Sequence, residues 1–381
     1  MRIGMVCYPG LGGSGIVASE LADRLARRGH QVFLFATEPP LRLPTDSPVR
    51  FVPVEVPHYP VFPAPLYTLA LAGALERAIR EEGLELIHTH YAIPHAVAAE
   101  LAAEGRIPLV HTLHGTDVTL LGRDPAYQQL TSRALKKAAA VTAVSHNLAQ
   151  QAQRTFGVSP TVIYNAVDTE RFRPNPTAKR FYAALDEFLL VHASNFRAVK
   201  RVGDIVHVYA KVRQRLKARL VLLGTGPERA EALSIAHNLG VDDGVTSLAT
   251  AKNPEEVLGA ADLFLLASEY EGFGQSGLEA LACGVPVVAT RVGGIPEWLT
   301  PEVGRLVEFG DLEGFAQAVV ELLTSEKLPA MREAARAYAE AHFHPEVITQ
   351  QYEALYQAAL QGWPYPHDRL SPGRRGGPVG V

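Results

Sequence analysis

Two glutamates stand at a spacing that suits the recognition of sugar hydroxyls. In Glu271-Gly272-Phe273-Gly274-Gln275-Ser276-Gly277-Leu278-Glu279, the first carboxylate falls in a loop after the apolar run 263–267, and the second falls inside the helix that follows. A carboxylate accepts two hydroxyl hydrogen bonds, so it matches a vicinal diol. Two such groups could hold a ribose and a hexose. The stretch 273–277 opens the helix, and the unbonded N–H groups of a helix N-terminus favour a diphosphate. Gly274 and Gln275 are the candidates there. The plain alternative is a solvated acidic loop.

A second anion-binding candidate lies near the start. Gly10-Leu11-Gly12-Gly13-Ser14-Gly15 follows the first apolar run and opens a helix, which matches G-x-G-x-x-G in a strand–turn–helix context. Gly13 and Gly15 would let backbone N–H groups approach a phosphate or carboxylate. Glu38, near the end of the second run, is where a dinucleotide enzyme would keep its ribose-binding acid. Tyr8-Pro9 lengthens the turn and speaks against that reading. A phosphate or carboxylate site, a dinucleotide site and a bare tight turn all remain open at this point.

These residues need strand ends to hold them, and the chain supplies strands twice over. Short apolar runs at 3–8, 31–36, 51–56, 86–90, 109–113, 141–144 and 161–164 alternate with helical patterns at 16–28 and 67–82, which stop at Gly29 and Gly83. The pattern then starts again: strands at 188–193, 220–223, 245–248, 263–267, 285–289 and 305–307, and helices at 202–216, 228–239, 276–283, 312–324 and 328–341. Such alternation predicts parallel sheets. The fold expected is α/β, with two doubly wound Rossmann-like domains facing a cleft. The domains expected are residues 1–165 and 166–344, joined by a linker at 165–179, then a helix at 345–361 packing back on the first domain and a mobile tail at 362–381.

Composition narrows the classes. The 381 residues suffice for two domains, and 47% hydrophobic with 20% charged residues is ordinary for a soluble globular protein. A net charge of −4 gives no basic face for nucleic acid. Two distant cysteines, Cys7 and Cys283, make neither a disulfide framework nor a zinc site and fit a reducing cytoplasm. No apolar run reaches membrane-helix length, and the N-terminus lacks a signal-peptide pattern. The expectation is a cytoplasmic protein with no nucleic-acid or membrane partner, its oligomeric state left open.

The segment Glu271–Glu279 resembles the E-x₇-E signature of retaining GT-B glycosyltransferases of family four. Ala280-Leu281-Ala282-Cys283-Gly284-Val285-Pro286 and Gly293-Gly294-Ile295-Pro296-Glu297 continue the likeness, whereas Gln275 stands where that family usually has Leu. The resemblance implies that Glu279 binds the donor ribose and Glu271 the donor sugar. It also implies that a basic pair in Ser194-Asn195-Phe196-Arg197-Ala198-Val199-Lys200-Arg201 neutralises the donor diphosphate, for which Arg197 and Lys200 are chosen. No Asp-x-Asp motif is evident, so fixed cations rather than a metal must stabilise the leaving group. Gly224-Thr225-Gly226-Pro227-Glu228 matches the family's turn below the nucleotide.

First-half motifs narrow the resemblance. Cys7-Tyr8-Pro9, His88-Thr89-His90-Tyr91-Ala92-Ile93-Pro94-His95-Ala96 and Leu113-His114-Gly115-Thr116-Asp117 are similar to the N-acetylglucosaminyl L-malate synthases of bacillithiol biosynthesis, over about residues 1–360. That likeness implies transfer of GlcNAc from UDP-GlcNAc to the hydroxyl of L-malate with retention, without cofactor or metal. His114 would then face the donor sugar. Malate is a small dianion, so hydroxyls and a cation should hold it: Ser14, Tyr91, Thr116 and Arg133. Relatives that glycosylate an inositol phosphate carry a lysine where this chain has Pro60-Val61-Phe62-Pro63-Ala64-Pro65. His88, His90 and His95 look like a metal cluster, but no carboxylate or cysteine nearby completes a set. The competing readings are another glycosyl acceptor, a nucleotide-sugar epimerase, an NAD-dependent oxidoreductase and a non-enzymatic sugar binder.

Overall fold

A computed structural model of the chain describes residues 1–10, 12–58, 60–249 and 253–363. The chain divides into two compact units, one of residues 1–144, 148–163 and from 349 on, the other of residues 145–147 and 164–348.

Unit one is built on strands β1 (Arg2–Val6), β2 (Gln31–Ala36), β3 (Arg50–Pro53), β4 (Leu86–His90), β5 (Leu109–Leu113), β6 (Ala140–Ala143) and β7 (Thr161–Val162). They lie in the order β3-β2-β1-β4-β5-β6-β7, every pair parallel. The strands β1, β4 and β5 are almost wholly buried, as sheets covered on both faces require. Helix Gly13–Arg27 covers one stretch of the sheet with Val17, Leu21 and Leu25. Each such side chain contributes about 1.5–3 kcal/mol by leaving water. The helix stops where Gly29 takes φ +91°. A core of Phe33, Phe35, Leu71, Leu75, Ile79 and Leu109 lies under helix Tyr67–Glu81.

Unit two carries β8 (Phe188–Ala193), β9 (Ala218–Leu223), β10 (Val245–Leu248), β11 (Leu263–Leu266), β12 (Val287–Thr290) and β13 (Gly304–Val307), in the order β10-β9-β8-β11-β12-β13 and again parallel. Its core packs Ile205, Tyr209 and Val212 against Leu220, Leu265 and Phe315.

Both sheets reverse direction at one point, between β1 and β4 and between β8 and β11. Ligands of open α/β sheets bind outside the strand C-termini at such a switch point. The α/β class and the two Rossmann-like units agree with the sequence reading.

Some local expectations are corrected. The strand expected at 51–56 is short and lies at the sheet edge, Arg50–Pro53, where Pro53 offers no N–H to a ladder. Helix 202–216 stops at Arg213. The stretch expected as a linker is bonded into unit two along its length: Val167 N–H donates to the Phe343 carbonyl, Asn175 N–H to that of Gly259, and Arg171 pairs with Glu255 at 3.1 Å. Helix Pro345–Gln361 runs on to Gly362, and the Trp363 indole N–H donates to the Gly105 carbonyl at 3.1 Å. The rest of the tail expectation, 364–381, lies outside the described residues, as do 250–252 of the loop thought to read the base.

Candidate functional site

At the switch point of unit two, Lys200 and Glu271 come together. Lys200 ends a short 3₁₀ turn (Ala198–Lys200) after β8, and Glu271 sits in the loop after β11. Lys200 Nζ donates to Glu271 Oε1 at 2.6 Å, and Ser268 Oγ donates to the same oxygen at 2.8 Å. Glu271 is 8% exposed, which leaves little water to screen the pair. Arg197, three residues before Lys200, is exposed, and its guanidinium has no ion-pair partner among the described residues.

The loop of Glu271 is held from behind. Gly294 N–H donates to the Glu271 carbonyl at 3.0 Å, and a Cβ on Gly293, at φ +55°, would stand 1.8 Å from that oxygen. The Trp298 indole N–H donates to the Phe273 carbonyl at 2.6 Å. Helix Gln275–Ala282 begins at Gly274, which takes φ +92° and brings no capping side chain. The N–H groups of Gln275 and Ser276 therefore have no intrahelical acceptor. Gln275 replaces the usual Leu without loss of anchorage, since its amide N–H donates to the Ala166 carbonyl at 2.9 Å. Its other amide atom, Oε1, is buried and meets no partner among the described residues. Glu279 lies in this helix, 4% exposed.

The loop of Lys200 is held by a residue that the sequence reading missed. His192, in β8, donates from Nδ1 to the Leu265 carbonyl at 2.9 Å, so the Nε2 of the neutral ring accepts from Ser194 Oγ at 2.9 Å. Burial pushes this histidine down to about 4, helped by the Lys200 charge. Ser194 Oγ in turn accepts the Phe196 N–H at 3.2 Å, and Phe196 takes φ +38°, a strained backbone for a bulky residue. The turn Gly224–Glu228 buttresses it: the Glu228 N–H donates to the Phe196 carbonyl at 2.9 Å.

In unit one the strand ends bring together Tyr91 and Thr116, whose hydroxyls lie 2.7 Å apart. Tyr91 follows β4 at φ +75°. Tyr8, after β1, packs edge-on to Tyr91 and donates to the Ile93 carbonyl at 3.1 Å. Burial raises the Tyr8 hydroxyl to about 12, so it stays protonated. Gly13, Ser14 and Gly15 form the first turn of helix Gly13–Arg27, which has no side-chain cap. Gly13 has open space on its Cβ side, whereas a Cβ on Gly15 would stand 2.4 Å from the Tyr8 carbonyl oxygen. Gly15 thus serves close packing. Arg133 is not brought to this group: it turns to Glu100, 3.8 Å away, well along helix Ala92–Ala103, where Lys137 joins it.

Asp117 was not singled out from the sequence, yet it ties this half together. Its buried carboxylate accepts N–H bonds from Ala92 at 3.0 Å, His114 at 3.1 Å and Gly115 at 2.7 Å. Burial pushes its pKa up, while those three N–H groups pull it down. His114 itself places Nε2 3.0 Å from His90 Nδ1, and burial pushes it down to about 3. The other histidines are bonded into the sheet rather than turned on a shared centre. His88 lies 2.6 Å from Tyr356 Oη and 2.7 Å from Thr112 Oγ1, and His95 Nδ1 donates to the His90 carbonyl at 2.8 Å.

Two parallel Rossmann-like units with ligand-binding switch points are the frame of many nucleotide-dependent enzymes, and similarity to known proteins gives the family. The family model of Glycosyltransferase Family 4 matches residues 11–171, and that of Glycosyl transferases group 1 matches residues 176–342. The chain is a glycosyltransferase and belongs to the GT-B enzymes of family four. It is 41% identical over 372 residues, 95% of this chain and 98% of the relative, to the N-acetyl-alpha-D-glucosaminyl L-malate synthase of Bacillus anthracis. A D-inositol 3-phosphate glycosyltransferase of Saccharomonospora viridis is 30% identical over 370 residues, 86% of this chain and 85% of that one. Among solved structures, the sucrose-phosphate synthase of Thermosynechococcus elongatus shares the fold with a TM-score of 0.79 at 22% identity, covering 94% of this chain and 98% of that chain. Anabaena HepE, solved with UDP and glucose, gives 0.76 at 21%, covering 94% and 99%. Among the described residues no helix is long and apolar enough to cross a membrane.

Proposed function

We propose that the protein transfers GlcNAc from UDP-GlcNAc to the hydroxyl of L-malate, with retention of the α configuration, in the cytoplasm. The observation that carries this reading is the Lys200–Glu271 pair, 2.6 Å apart at the switch point of unit two, in a chain 41% identical to a GlcNAc–malate synthase. A nucleotide-sugar needs a cation at its diphosphate and a carboxylate at its hexose, and the two stand side by side.

In this reading Lys200, Arg197 and the N–H groups of Gly274 and Gln275 hold the diphosphate, Glu279 the ribose and Glu271 the sugar hydroxyls. Gly13 frames the donor from unit one, and His114 faces the hexose. Ser14, Tyr91 and Thr116 hold the malate, and Arg133, paired with Glu100, takes no part. The bond from the anomeric carbon to the leaving phosphate oxygen breaks, that to the malate oxygen forms on the same face, and the released phosphate oxygen takes the malate proton. Fixed cations stabilise that oxygen without a metal.

The test is UDP release from UDP-GlcNAc in EDTA, with and without L-malate, with the product mass read by spectrometry. Malate-dependent release with a GlcNAc–malate mass is expected. Release with inositol phosphate instead, or none without added metal, overturns the acceptor or the metal independence respectively.

A further inference from the structure

The proton between two buried histidines decides what His114 offers to a ligand. His90 ends β4 and His114 follows β5, with His90 Nδ1 and His114 Nε2 3.0 Å apart, so one nitrogen must donate. Burial pushes both rings far down, so both are neutral at pH 7 and each carries one proton. Two arrangements exist, one with the shared proton on His90 and one with it on His114.

The surroundings of His90 choose between them. Its Nε2 is buried, and no partner meets it among the described residues. Were its proton on Nε2, a buried N–H would have no acceptor. With the proton on Nδ1, only a lone pair is orphaned, the more tolerated state. The His90 ring packs against that of His88 at 4.2 Å between centroids, and the His90 backbone carbonyl accepts from the His95 Nδ1–H. His111 follows the same pattern, with Nδ1 on Thr89 Oγ1 at 2.7 Å and a buried Nε2 that meets no partner among the described residues.

We propose that His90 is a positioning residue that donates from Nδ1 to His114 Nε2 and so holds His114 as the Nδ1–H tautomer, a neutral N–H donor aimed at an oxygen of the donor sugar. This rests on the reading that His114 faces the hexose. A neutral donor is what the chemistry needs there, because the transition state gathers positive charge at the anomeric carbon and an imidazolium would oppose it.

The test has two arms. Long-range ¹⁵N–¹H correlation spectra of the ligand-free chain with ¹⁵N-labelled histidine should show a protonated Nδ1 and a bare Nε2 for both His90 and His114. The reverse on His114 overturns the proposal. In turnover, His90→Asn keeps an N–H donor near the Nδ1 position and should stay within a few-fold of the unmodified chain. His90→Leu should lower kcat by about tenfold to a hundredfold, with the acceptor KM and UDP affinity unchanged and the His114 signals split between tautomers. Unchanged kcat in His90→Leu overturns the positioning role. The spectrum of the unmodified chain decides the proton's place even where the leucine variant fails to fold. An unmodified chain that shows the tautomer but does not turn over UDP-GlcNAc with malate sinks the substrate reading and sustains the proton assignment.

Discussion

In the proposed reading Glu279 and Lys200 act on different parts of the reaction, and their substitutions should separate. Glu279 is buried in helix Gln275–Ala282 and, in the proposed reading, holds the donor ribose in the ground state. Glu279→Ala should weaken UDP-GlcNAc binding by about tenfold to a hundredfold, the worth of hydrogen bonds to a charged group, as read by calorimetry. Lys200, in that reading, meets charge that grows as the diphosphate leaves. Lys200→Ala should cut kcat by about a hundredfold or more and leave the malate KM nearly unmoved in steady-state assays. Unchanged kinetics in both would remove the donor-site assignment. Asp117 belongs to unit one alone, where all three of its N–H donors lie. Asp117→Asn turns an NH₂ group toward at least one of those donors. It should raise the malate KM and lower kcat together while UDP affinity holds, and weakened UDP binding would count against that division.

At the scale of elements, the Glu271 loop is only as good as the glycine beneath it. Gly293→Ala adds a methyl 1.8 Å from the Glu271 carbonyl at a φ of +55°. The loop must move, and turnover should fall about tenfold or more while the backbone strain adds roughly 1–3 kcal/mol of destabilisation. Calorimetric melting and kinetics on the same variant check both. Much of the element plan was legible: the runs at 86–90, 109–113, 188–193 and 245–248 are strands with those same ends, because apolar runs flanked by helical patterns leave few alternatives. Helix Pro125–Lys137 had its signal in Asp124-Pro125, a cap followed by a proline at the first turn. The network behind the site was not legible. His88 meets Tyr356 across 268 residues, and Asp117 looks from the sequence like any acid after a glycine turn. Local pattern reports which residues could do chemistry; who holds them depends on contacts that only the folded sheet creates.

For the molecule as a whole, the buried histidines set an acid limit. His95 and His192 sit at about 4, and His111 and His114 at about 3, against an ordinary 6.5. The folded chain refuses protons that the unfolded chain binds, so stability is full above about pH 6.5 and falls as pH drops toward 4, by about 1.4 kcal/mol per pH unit for each ring. The melting temperature should fall by at least about 5 °C between pH 7 and pH 5. A flat profile over that range would contradict the neutral assignment of these rings.

The ion pair between Lys200 and Glu271 also bears on how the enzyme lets go. Each is the other's counter-ion while they are joined. In the proposed reading a diphosphate that takes Lys200 strips Glu271 of its cation, and the hexose hydroxyls make good that loss. UDP alone has no hexose, so it leaves Glu271 with neither its cation nor sugar hydroxyls, beside only the Ser268 hydroxyl already bonded to it. The sugar nucleotide should therefore bind more tightly than the spent nucleotide, and each transfer turns a good tenant into a poor one. In that reading the re-forming pair should favour the release of UDP.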